Sequence, residues 1–115
     1  GIGCPVISSL SGADRLIIVV EPTRQSLQGA KRLLEVASHF GVKTYALVNK
    51  AGLGGSLGVD IGKMLGVEVI SSIPYDIKVV EAYAKTTPLL AYASESPAAK
   101  ALLKAFDRLA EVEGL

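Results

Sequence analysis

The chain has 115 residues, half of them apolar, and a formal net charge of +1, which allows one cored domain and gives no reason to expect a polyanion such as nucleic acid as partner. Its single cysteine, Cys4, excludes an internal disulfide and any metal cluster built from this chain's thiolates alone. No apolar run approaches the roughly 20 residues that cross a bilayer, and the N-terminus lacks the charged head and long apolar body of a secretory signal, so the expectation is a soluble, cytoplasmic protein with no transmembrane segment.

The opening Gly1-Ile2-Gly3-Cys4-Pro5 has no initiator methionine and no polar tail; it reads as cut from something larger, with the first strand's natural neighbour upstream and an open strand edge that invites association of the fragment. Residues 5–10 can form a short helix, with Pro5 suited to a first helical position and Ser11-Gly12 closing it. Cys4 is either a reactive thiol or a small apolar filler.

Three short apolar runs follow, at residues 16–20, 45–48 and 67–70, each succeeded by turn chemistry and a helical pattern. Strands alternating with helices predict an α/β fold with a parallel sheet of about three strands, right-handed crossovers and helices on both faces. After the first run, Thr23 can cap a helix whose Leu27, Ala30, Leu34 and Ala37 form an apolar stripe, with Gly41 as its stop and Lys31, Glu35 and His39 on the wet face. After the second, Leu57, Ile61, Met64 and Leu65 make a stripe while Gly54, Gly58, Gly62 and Gly66 recur every four residues, so the helix is intrinsically weak. It is either a smooth face for close approach or a frayed surface segment.

After the third run the chain turns through Ser71-Ser72-Ile73-Pro74, and Asp76 can cap a helix running to about Lys85, stapled by Tyr75 and Val80 and ended by Thr86-Thr87-Pro88. The last helix starts at Ser96-Pro97 and is expected to bury Ala99, Leu102, Leu103, Phe106, Leu109 and Ala110, with Glu111 and Glu113 opposing its dipole and fraying its end.

In open parallel sheets ligands sit beyond the carboxyl ends of the strands. That rule selects Glu21, Pro22 and Thr23, then Asn49 and Lys50, then Pro74, Tyr75 and Asp76. A carboxamide donates and accepts at once, matching the amino donor and ring-nitrogen acceptor of adenine, so Asn49 is the leading ligand candidate, set against a purely local loop role. Proline leaves its own carbonyl and that of Ile73 as acceptors and removes a competing donor, giving a second wall from Ile73, Pro74 and Asp76, although an N-cap role also explains the aspartate. Glu21 could orient a partner group or water, or be a solvated loop carboxylate. The glycine-rich Gly52-Leu53-Gly54-Gly55-Ser56 has no Lys-Ser/Thr at a helix start, so the phosphate-loop spacing is unmet. His39 stands outside any triad pattern, and no catalytic or metal-ligating residue is assigned.

Taken together, Gly1-Ile2-Gly3-Cys4-Pro5, Gly12-Ala13-Asp14 leading to Glu21-Pro22-Thr23, Val48-Asn49-Lys50, Ile73-Pro74-Tyr75-Asp76 and Ser96-Pro97-Ala98-Ala99 resemble, in order, landmarks of the C-terminal half of MinD/Mrp-type P-loop ATPases, relatives of nitrogenase iron protein. The resemblance is strongest to the branch with an inserted ferredoxin-like module and spans nearly the whole chain.

The resemblance implies half of a P-loop NTPase domain over residues 1–115, with the phosphate-binding half absent. It implies an ATP-hydrolysing parent that dimerises as a conformational switch. By it, Gly1 belongs to a terminal-phosphate-sensing loop, Asn49 and Lys50 with Ile73, Pro74 and Asp76 line the adenine pocket, and Glu21 and Thr23 lie near the nucleotide and the dimer face. ATP and Mg²⁺ are the implied cofactors of the parent, the Mg²⁺ site lying outside this chain. Any iron-sulfur cluster belongs upstream, since the cysteines are missing here. The chain departs from relatives by placing Ala51-Gly52 after the Asn-Lys pair and by its glycine series. Alone it is expected not to hydrolyse ATP. The rival readings are a free-standing α/β partner-binding module without nucleotide, and a flavodoxin-like cofactor domain, for which Glu21-Pro22-Thr23 is a poor phosphate loop.

Overall fold

A computed structural model of the chain describes residues 4–52 and 60–115; Gly1, Gly54, Leu57 and Gly58 lie outside them, and so do the roles expected of those residues. The elements run α1 (Cys4–Ser11), β1 (Arg15–Val20), α2 (Arg24–His39), β2 (Lys43–Ala51), α3 (Ile61–Leu65), β3 (Glu68–Pro74), α4 (Ile77–Ala84), α5 (Leu89–Tyr92) and α6 (Pro97–Glu113). The strands form one parallel sheet in the order β1-β2-β3, as the alternation of apolar runs and helices predicts.

Local chemistry sets most boundaries. The Thr23 hydroxyl accepts from the Ser26 amide at the start of α2, and Gly41 follows its last residues in the left-handed region. Ala30 and Ala37 of that helix are buried, and its Lys31, Glu35 and His39 are exposed. At α3, Asp60 caps the start and Gly66 the end, at φ 69°, where an L side chain would be strained. A Cβ on Gly62 would meet the Val69 side chain at 3.0 Å and the Val67 carbonyl at 3.1 Å, so this glycine does permit close approach, of α3 to the start of β3. The expected longer helix is one and a half turns among the described residues, with Ile61 buried and Met64 48% exposed.

Two apolar layers flank the sheet. Ile18, Val20 and Val48 meet Ala30 of α2 and Ile61 of α3 on one face, while Tyr45 and Ile70 meet Ala105, Leu109 and Val112 of α6 on the other. The layers bury the centre of β2 and β3 more fully than β1: Ile17 and Val19 point to the α6 side and remain 40% and 61% exposed, outside the cluster under α6.

Helix α6 buries only part of the stripe expected, Ala99 being buried and Leu109 packed against the cluster on its face of the sheet. Its buried residues are Ala98, Ala99, Ala101 and Ala105, whereas Leu103 and Phe106 are exposed. Small side chains let the helix lie close on β3, where the Ser71 hydroxyl donates to the Ala101 carbonyl at 2.8 Å. The larger apolar residues are turned outward as a consequence. Its end is not frayed. Glu113 accepts from Arg15 Nε at 2.6 Å and from the hydroxyl of buried Tyr45, and Glu111 pairs with Arg108, which also reaches Glu68. These partners offset the unfavourable dipole interaction. Tyr75 and Val80, expected as a staple on α4, are both exposed, and α5 had no distinct sequence signature beyond Pro88.

Candidate functional site

Strands β2 and β3 extend past their apolar runs, so that Asn49-Lys50-Ala51 and Ser71-Ser72-Ile73-Pro74, expected in loops and turns, are strand residues. The reason is ladder pairing: after a first register shift between Ala46 and Leu47, Leu47 pairs with Ser71 and Val48 with Ser72, and Ala51 with Pro74 closes the ladder. Between Val48 and Ala51 the register slips. Asn49 and Lys50 occupy this irregularity, a device that re-aims side chains at the end of a strand.

Lys50 carries the strain of the slip. Its φ is 51°, one of two positive values among the described non-glycine residues, and Gly52 follows at 92°. An L residue other than Gly, Asn or Asp adopts this region at a cost of about 1–2 kcal/mol, so something must hold it. Two contacts do. The Lys50 amide donates to Asn49 Oδ1 at 2.9 Å, and Lys50 Nζ pairs with Glu21 Oε1 at 3.1 Å. Glu21 stands just beyond β1, and its amide donates to the Ser26 hydroxyl at 2.9 Å. A chain of contacts thus runs from the first turn of α2 through Glu21 and Lys50 to the half-buried Asn49.

The turn after β3 is built around Asp76. Its Oδ1 accepts from the Lys78 amide at 2.9 Å at the start of α4, and its Oδ2 accepts from the Ala98 amide at 3.0 Å at the start of α6. The Ala98 amide above all, and the Lys78 amide after it, hold the Asp76 carboxyl below the usual carboxylate range, against the opposing effect of desolvation. One side chain therefore caps two helices and fixes the turn that follows Ile73 and Pro74, both half-buried.

Sequence reasoning brought Glu21, Asn49, Lys50, Ile73, Pro74 and Asp76 together at the carboxyl ends of the three strands, and the sheet order puts them there. Thr23 points its hydroxyl to the α2 cap. Reasoning missed Ser26, whose spacing of three from Thr23 was the available signal, and the Ala98 amide as a second partner of Asp76. Three surface grooves lie elsewhere: along β1 and α2 (Val6, Ile18, Leu33), at the amino ends of β2 and β3 (Thr44, Glu68), and beside β3 and α6 (Ser72, Lys104). Asn49, Pro74 and Asp76 line none of these three. Among the described residues no group of three His, Cys, Asp or Glu side chains could hold a metal ion.

No family model matches the chain. An uncharacterized ATP-binding protein of Methanocaldococcus jannaschii is 36% identical over 107 residues, which is 90% of this chain and 40% of that protein. The MinD cell division protein of Aquifex aeolicus superposes with a TM-score of 0.84 at 28% identity, over 95% of this chain and 49% of that one. The septum site-determining protein MinD of Pyrococcus horikoshii, solved with Mg-ADP, shares the fold at a TM-score of 0.87 and 20% identity, over 99% of this chain and 48% of that one. The chain spans about half the length of these solved structures and less of the M. jannaschii protein. Sequence and fold agree, and the chain resembles the C-terminal half of a MinD-type ATPase.

Proposed function

We propose that this chain supplies the adenine side of an ATP site in a MinD-type ATPase, residues 1–115 being the C-terminal half of the nucleotide-binding domain. The observation that carries the reading is the irregularity at Asn49-Lys50, which turns a carboxamide out of the ladder two residues before Ala51 pairs with Pro74. A carboxamide beside backbone acceptors at a proline is chemistry that suits a base carrying an amino group next to a ring nitrogen. The residues that would hold ATP by its base are Asn49 and Lys50 on one side and Ile73, Pro74 and Asp76 on the other, Asp76 by fixing the turn. Glu21 and Thr23 border the nucleotide. ATP supplies a cleavable phosphoanhydride. The phosphate loop, the Mg²⁺ site and the water chemistry reside in the other half of the parent, so this chain by itself does not turn over ATP.

Support for a missing half comes from Ile17 and Val19, which offer apolar surface on the open strand. The parent, in this reading, is a cytoplasmic protein that forms a homodimer and uses hydrolysis to switch conformation; an iron-sulfur module, where the parent has one, is carried upstream. Titration of the full-length parent with ATP tests the base site. Asn49→Ala weakens binding by about 1–3 kcal/mol if the carboxamide meets adenine. Unchanged affinity would remove Asn49 from the site and the reading with it.

A further inference from the structure

The ion pair between Glu21 and Lys50 belongs to no helix cap and joins no packed cluster, yet it links the ends of β1 and β2 at 3.1 Å. Both partners are well exposed, with side chains 41% and 49% accessible, so the pair contributes little to stability. Its position gives it another use. Lys50 is the residue with φ 51°, its amide is the donor that occupies Asn49 Oδ1 at 2.9 Å, and the strand slips register around it. Anything that holds the Lys50 side chain restrains the backbone conformation that aims Asn49. Glu21 is itself anchored, because its amide donates to the Ser26 hydroxyl in the first turn of α2.

We propose that Glu21 is a positioning residue for base recognition, acting through Lys50 to fix the Asn49 carboxamide. This rests on the adenine-site reading and deepens it. The Lys50 amide engages Asn49 Oδ1, which leaves the N–H donors of the carboxamide as the groups it can offer a ligand, and a donor selects an unprotonated ring nitrogen such as N7 of a purine. The site so built senses the nitrogen acceptor of the base, and the Glu21–Lys50 pair sets how firmly it does so. A restrained donor loses less freedom on binding than a mobile one.

The experiment compares ATP with 7-deaza-ATP, which has a carbon in place of N7, on the full-length parent and three variants. The parent is expected to prefer ATP. Glu21→Gln keeps the size of the side chain and removes its charge; it is expected to weaken ATP binding about two- to fivefold, the scale of an exposed ion pair, and to leave 7-deaza-ATP binding unchanged. The charge-reversed pair Glu21→Lys with Lys50→Glu is expected to recover the preference for ATP. In Asn49→Ala the preference is lost, and adding Glu21→Gln to it changes nothing further. Equal weakening of both nucleotides by Glu21→Gln would assign Glu21 a general structural or electrostatic role and overturn the proposal, as would an unaltered ATP preference. If Asn49→Ala itself leaves ATP affinity and preference intact, the adenine site is wrong, and the positioning role is overturned along with it.

Discussion

Lys50 illustrates how a single residue can be poorly suited to its local conformation and still be fixed there. The αL region disfavours lysine, but the amide contact to Asn49 and the ion pair to Glu21 act from opposite ends of the residue. Asp76 is the converse case, a residue whose every feature suits its place: it is acidic, it precedes a helical pattern, and both its oxygens meet helix amides. Beside it, the buried Ser96 caps α6 through a 3.2 Å bond from the Ala99 amide. Removing that hydroxyl leaves a helix N–H with no partner and no route to water. Ser96→Ala is expected to lower stability by about 1 kcal/mol, read from urea unfolding; an unchanged midpoint would mean that Asp76 alone secures the start of α6.

Helix α6 is the element whose attachment depends most on charge. Glu113 near its end takes hydrogen bonds from Tyr45 and Arg15, which tie the helix to the amino ends of β2 and β1. The Tyr45 hydroxyl chiefly, with Arg15 after it, holds the Glu113 carboxyl below the usual range against the cost of desolvation, and the same bond together with burial pushes the Tyr45 hydroxyl up. Asp76 is lowered as well. A depressed carboxyl adds stability that is fully present above its unfolded value, about pH 4, and is lost as the pH falls through the lower folded value. Thermal stability is therefore expected to fall on acidification below about pH 4, and Glu113→Gln to be less stable at neutral pH but to lose less as the pH drops. A variant with the same acid sensitivity as the parent chain would mean that Glu113 does not couple α6 to protonation.

Across the molecule, what was legible in the sequence followed from local rules and what was not followed from packing. The three strands, the α2 stripe and the caps at Thr23, Asp76 and Ser96 rest on short-range periodicity and side-chain chemistry, and all are present. The stripe of α6 was legible at Ala99 and Leu109 but not at Leu103 and Phe106, because helical spacing alone does not say that alanines face the sheet while these two face out. Strand ends were misjudged because ladder pairing carried polar Ser71 and Ser72 into the sheet and resumed at Ala51 and Pro74, beyond Asn49. The site residues were legible through the strand-end rule, but the Glu21–Lys50 pair was not, since it depends on β1 lying beside β2. The whole account turns on where the purine of a bound nucleotide rests. The most direct measurement is a crystal structure of the full-length parent with ATP or a non-hydrolysable analogue. The expected result is an adenine ring between the ends of β2 and β3, within hydrogen-bond reach of the Asn49 amide; a ring bound elsewhere, with Asn49 and Pro74 facing only solvent or their own backbone, would contradict it.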